Sequence, residues 1–324
     1  MIVVGLAALV GAAIAVPHLL RLERAAPGVA STVWLSALVL RALAGVFLAV
    51  FIVLYVPTTM LFDALTHWCW HAVIPVLTSH LGLDGHRVGD AATIVPGLFL
   101  AGSLVSMAYG LARTLRAVRR WLRKTQVGPG PRGSVVVADQ EIVLAAAGLR
   151  RPQIVVSAGA LVRLDDDELA AGLAHERGHI ARRHRFVALV ADGCRALGRL
   201  VPGTGQAARE LTFHLERDAD RWAVTRARQD PCTLASAICK AAVPSPARAS
   251  AMSSLAGGGR MSDRLRELLD PGTGGPGRLQ RSATRALAAG MATLALALAG
   301  LTPTAIAAGV RTATASPPVE HCDS

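Results

Sequence analysis

Charged residues are nearly absent from four long stretches of the chain, about 1–20, 34–57, 92–112 and 286–310. Each is long enough to cross a bilayer as a helix, which takes roughly 20 apolar residues. The run from Ala286 to Val310 holds no charge at all, which argues against a core helix of a soluble protein. The first stretch reads as a retained anchor, because it lacks a basic start and its Ala13-Ile14-Ala15 falls inside the apolar run. Arg41, inside the second, must snorkel or face other helices. Pro96 and Pro303 are tolerated near helix ends or kinks.

Between the third and fourth stretches the pattern changes. Residues 128–133 are rich in glycine and proline and read as a linker. Residues 134–138 and 153–157 then read as strands, with 142–147 a third. Helical patterning follows at 164–184 and 211–224, and 263–269 suits a short helix that completes the fold. The first of these helices has a clear start: Asp165 can cap, Glu168 occupies the capping-box position, and Leu164 can staple onto Leu169. The fold class expected is therefore α+β: a multi-span α-helical membrane protein with a mainly helical domain and a small β-sheet.

The 164–184 helix carries His175-Glu176-Arg177-Gly178-His179, the pattern H-E-x-x-H. Residues four apart on a helix share a face, so both imidazoles can grip one zinc ion. Glu176 beside them can take a proton from a water bound to that ion. Catalytic zinc keeps three protein ligands and leaves one position to water. Glu216 and Asp220, four apart on the 211–224 helix, supply what is missing. Glu216 can ligate, and Asp220 can fix a ligand histidine by a hydrogen bond. His184, five residues past His179, should sit roughly 140° around a continuing helix and stay out of contact with the metal, with packing or a hydrogen bond as its role. Both tyrosines, Tyr55 and Tyr109, lie in expected spans, so His214 and Arg221 are the oxyanion-stabilising candidates.

The combination A-H-E-R-G-H-x-x-R-R-H followed by E-R-D-A-D-R-W-A resembles the gluzincin-type membrane peptidases with a second E-x-x-x-D motif. These include the BlaR/MecR metallopeptidases and the HtpX-like group. Arg151-Pro152-Gln153-Ile154-Val155-Val156-Ser157-Ala158-Gly159 is similar to the strand that precedes the motif helix in that family. The resemblance spans about residues 134–224. It implies His175, His179 and Glu216 as ligands of one Zn2+, Glu176 as general base and Asp220 as support.

Composition sharpens the membrane reading. The chain is 52% hydrophobic with a formal net charge of +12, and Lys124 and Lys240 are its only lysines. The basic residues flank apolar segments and form no aromatic-interleaved patch, so no direct nucleic-acid partner is expected. The five cysteines show no C-x-x-C pair and read as small apolar fillers. Arg21 and Arg24 follow the first stretch, and Arg113, Arg116, Arg119, Arg120, Arg123 and Lys124 follow the third, whereas 58–91 holds only Arg87. The positive-inside rule then gives a multi-pass cell-membrane protein with its N-terminus outside. Residues 1–112 form three spans with an outer loop at 58–91, and 113–285 form a cytoplasmic zinc peptidase domain. Residues 286–310 form the fourth span, and 311–324 a short outer tail. His67 and His71 in the loop, beside Trp68 and Trp70, suit either an interfacial helix or a metal sensor.

Three functions fit this pattern. One is an integral-membrane zinc endopeptidase of BlaR/MecR type that cuts a BlaI/MecI-like repressor. A second is an HtpX-like quality-control protease, and a third is a non-catalytic zinc-binding sensor or scaffold. The small sheet either presents an edge to an extended peptide or only supports the zinc helix.

Overall fold

Asp165 opens the central helix as its sequence predicts. In the computed structural model its carboxylate accepts the Glu168 amide at 2.8 Å, and the Glu168 carboxylate accepts the Asp165 amide at 3.1 Å. The structure describes residues 2–20, 22–55, scattered positions between 98 and 124, then 125–148, 152–242, 260–270 and 278–315. Its elements, in chain order, are α1 (Ile2–Leu19), α2 (Pro27–Tyr55), β1 (Gln126–Pro129), β2 (Val135–Val137), β3 (Leu144–Ala147) and β4 (Gln153–Ser157). Then come α3 (Ala158–Arg163), α4 (Asp166–Ala181), α5 (His184–Leu197), α6 (Thr204–Thr225), α7 (Pro231–Ala242), α8 (Met261–Leu269) and α9 (Arg278–Ala315).

The strands form one mixed sheet in the order β1-β2-β4-β3. β1 and β3 run antiparallel to their neighbours, while β2 and β4 are parallel. The three expected strands are present. The stretch expected to be only a linker contributes β1, and Pro129 is tolerated there because β1 is an edge strand whose outer N–H positions need no partner. Ile154 and Val156 of β4 pack with Leu164, Leu169 and Leu173 across the face of α4. Leu164 and Leu169 thus share one patch of core, as the staple requires. Gly172 leaves room for Leu144 of β3, so the edge strand lies close along α4.

On its other side, α6 packs against α2. Val33, Trp34, Ala37 and Leu38 share a core with Ala191 of α5, with Ala207, Leu211 and Leu215 of α6, and with Ala288 and Met291 of α9. Full burial of a leucine such as Leu211 contributes about 1.5–3 kcal/mol. Gly45 makes the crossing of α2 over the end of α5 possible, because a Cβ there would stand 2.7 Å from the Leu197 carbonyl oxygen. Arg41 faces the helices, 1% exposed, with its guanidinium on the Ala37, Ile14 and Pro202 carbonyls and on His18 Nε2.

Two described helices, Pro27–Val50 and Arg278–Leu301, have the length and apolar character to cross a bilayer, and α1 is a shorter apolar helix. The second apolar helix starts seven residues earlier than expected, at Pro27, whose missing N–H costs nothing in a first turn. Most of the third expected span and the whole 58–91 loop, with His67 and His71, lie outside the described residues.

Glu168 does more than cap. It is 4% exposed and takes Ser236 Oγ and Lys240 Nζ from α7, each at 2.6 Å. Lys240 is the main reason that its pKa falls from 4.5 to about 2, with Ser236 next. A carboxylate with a depressed folded pKa stabilises above its unfolded pKa and loses that contribution as pH falls towards the folded value. In metal-free protein, the Tm gap between wild type and Glu168→Gln should therefore be full at pH 6 and shrink steadily from pH 4.5 towards pH 2. Thermal melts across that range measure it, and a gap that stays constant down to pH 2.5 would contradict the assignment.

Candidate metal centre

The centre forms where α4 crosses α6, and Gly178 sets how near they come. A Cβ at Gly178 would lie 3.2 Å from both Cα and O of Ala219 and 3.3 Å from Trp222 Cβ. With only hydrogen there, the motif face of α4 reaches Glu216. His175 Nε2 and His179 Nε2 converge at 3.1 Å, and the Glu216 carboxylate oxygens lie 3.5 and 3.4 Å from them respectively. Ligand atoms on one tetrahedral zinc ion, each about 2.0–2.2 Å from it, stand roughly 3.3–3.5 Å apart. The spacings suit such an ion, with the two histidines facing different oxygens of the one carboxylate, and the donor set of two imidazoles and a carboxylate suits zinc.

Each ligand is held from behind. His175 Nδ1 lies 2.8 Å from Asp220 Oδ1, a short approach somewhat off the N–H axis. Asp220 in turn accepts both Nε–H and Nη2–H of Arg264, at 2.8 and 2.9 Å. Arg264 Nη1 is also 3.1 Å from Glu216. Burial alone would lower the pKa of His175, but the Asp220 and Glu216 carboxylates outweigh it and raise it. Burial likewise raises Glu216, and His175 and Arg264 more than reverse that. The pocket thus pulls positive charge onto its own histidine, as a cation site should. His179 is lowered, by burial first and by the neighbouring His175 charge.

His184 does not sit on a continuation of α4. The helix ends at Ala181, and Arg183 takes a left-handed conformation at φ 55°. The turn folds His184 back, so that its Nδ1 lies 3.0 Å from His179 Nδ1 and its Nε2 3.1 Å from Asp218 Oδ2. The 140° expected of an unbroken helix does not apply. Sequence reading also missed Asp218 and Arg264. Asp218 was hidden between the two motif acids, and Arg264 arrives from a helix distant in sequence.

Glu176 points to the sheet: its Oε2 accepts the Ala146 amide of edge strand β3 at 2.7 Å. Burial raises its pKa most, with His175 opposing. The two oxyanion candidates lie differently. His214 is fully buried, with Nδ1 3.0 Å from Arg217 Nη1 and its ring against Phe213, while Arg221 is exposed on α6. Neither is among the groups that contact the three ligands.

Residues 114–209 match the model of peptidase family M48. That likeness implies a peptidase, a hydrolase of generally metal-dependent kind, and it covers the sheet and the His175–His179 motif. It stops short of Glu216, Asp218, Asp220 and Arg264, whose place at the centre rests on geometry. No curated protein and no solved structure matches the chain.

Arg264→Gln should weaken zinc binding about 10-fold or more, the usual cost of removing a group that orients ligands. Chelator competition on the full-length protein reads this directly, and an unchanged affinity would show that α8 plays no part in the centre.

Proposed function

We propose that this chain is an integral-membrane zinc endopeptidase with its catalytic part on the cytoplasmic side. What supports the reading most is the cluster of His175, His179 and Glu216 beside Glu176, with Glu176 bonded to an edge strand. The M48 likeness agrees with it, and so do the two long apolar helices.

A zinc ion held by the three ligands would polarise the scissile carbonyl and acidify a bound water. Glu176 accepts the water proton and passes it to the nitrogen of the departing amine. Ala146 keeps the carboxylate aimed. In an antiparallel ladder the N–H and C=O of one residue point to the same side. The Ala146 amide faces Glu176, so the polar edge of β3 faces the reacting groups. An extended peptide can add to that edge and bring its carbonyl to the metal. Of the two roles open to the sheet, substrate binding is thus the better supported.

The substrate we infer is a protein reached from the cytoplasm, and the span layout favours regulatory cleavage of a BlaI/MecI-like repressor. Substrate capture with Glu176→Gln in the native host would separate that from broad quality control by the range of proteins held.

Purified protein should carry about one zinc per chain, and Glu176→Gln should keep it while cleavage falls by about 100- to 10,000-fold. Cleavage that persists in this variant would sink the mechanism. Glu216→Ala should lose the zinc, and an undiminished metal content would mean a different third ligand. Reporter fusions at Gly130 and within 58–91 should report opposite sides of the membrane, and the same side for both would overturn the topology.

A further inference from the structure

We propose that His184 and Asp218 are positioning residues that hold His179 in the tautomer presenting its Nε2 to the metal. The inference rests on His179 being a ligand.

An imidazole that binds a metal through Nε2 carries its proton on Nδ1, and that N–H needs an acceptor. For His179 the neighbour is His184 Nδ1, at 3.0 Å. His184 can accept there only when its own proton is on Nε2, and that nitrogen lies 3.1 Å from Asp218 Oδ2. A carboxylate only accepts, so beside Asp218 a neutral His184 carries its proton on Nε2, and the order along the row follows from that. His184 donates from Nε2 and accepts at Nδ1, and His179 donates from Nδ1 and is left with a lone pair on Nε2.

The carboxylate is itself fixed. Arg182 donates Nε–H to Oδ2 at 2.8 Å and Nη2–H to Oδ1 at 3.1 Å. His184 and Asp218 are 4% and 8% exposed, so water competes little for these bonds. The reverse order is the failure to be prevented. A proton on His184 Nδ1 would be donated to His179, whose own proton would then sit on Nε2, facing Glu216 and His175.

The arrangement mirrors that of the other histidine. His175 meets Asp220 directly, and Asp220 is gripped by Arg264. Asp218 lies two residues away on α6, about 200° around the helix, and meets α4 on another side. His184 bridges the remaining gap. The left-handed turn at Arg183 is what delivers it.

Zinc affinity of the full-length protein, by chelator competition with zinc alone, tests this together with the Tm of the metal-free form. His184→Phe keeps the bulk and removes both nitrogens, and should weaken zinc about 10- to 100-fold with little change in metal-free Tm. His184→Gln supplies an acceptor and a donor, and should stay within about threefold of wild type, which a purely space-filling role would not predict. Asp218→Asn introduces an amide that can donate, so it should cost roughly 10-fold although it is nearly isosteric. If His184→Phe shows no cooperative melt, Asp218→Asn decides the question by the same criterion. A folded His184→Phe or Asp218→Asn that binds zinc as tightly as wild type overturns the inference alone. A wild-type protein that takes up no zinc overturns it together with the metal reading.

Discussion

The distance between α4 and α6 governs every other feature of the centre. Neither helix holds a complete site: α4 brings two imidazoles and the candidate base, and α6 brings the candidate third ligand and the carboxylates behind. Their contact runs through Gly178, where a side chain would press on the backbone of Ala219. Glycine inside a helix costs about 1 kcal/mol relative to alanine, so local propensity works against it there. The capping box at Asp165 and the leucines packed on β4 offset that cost at the other end of α4. The motif glycine is thus a packing requirement, and the chemistry depends on it indirectly.

Close crossing creates an electrostatic problem that the surrounding residues resolve. Glu176, Glu216, Asp218 and Asp220 bring four negative charges when all are ionised, and Arg182 and Arg264, which grip them, return two. Arg185, which acts on Glu176, brings a third positive charge, and the negative charge that remains draws a cation. Without one, burial and repulsion are relieved by protons, which is why the carboxylates draw charge onto His175. Arginine suits this work because its planar fork meets both oxygens of a carboxylate at once. It does so twice here, at Asp218 and at Asp220.

The parts of the site legible in the sequence were those encoded by helical period. His175, Glu176 and His179 declare themselves by spacing, and Glu216 with Asp220 repeats the logic on a second helix. Asp218 obeys no such rule, since it faces away from that pair and meets its partner only in space. His184 was misplaced because the period was carried through a helix end, and the two arginines at 182 and 183 gave no glycine or proline signal for the left-handed turn. Arg264 could be found only by knowing that α8 docks against α6. In the sheet, period-two patterning found three strands. The fourth, β1, carries Gly128 and Pro129, whose usual reading is a loop, and it pairs only because β2 offers an edge.

The apolar helix α2 ties these two levels together. In sequence it precedes the peptidase region by some seventy residues, yet Val33, Trp34 and Leu38 fill the core beneath Leu211 and Leu215 of the ligand-bearing helix. Its first turn comes nearer still. A Cβ on Gly28 would stand 3.3 Å from Arg182 Nη2 and 3.7 Å from Asp218 Oδ1. The start of α2 therefore lies against the pair that orients His184, and through it His179. A helix with the character of a membrane span and the imidazole proposed to hold the metal are separated by three side chains in hydrogen-bonded sequence. Any tilt of α2 must either leave the Arg182–Asp218 pair behind or carry it along, and the shared core with α6 favours the second.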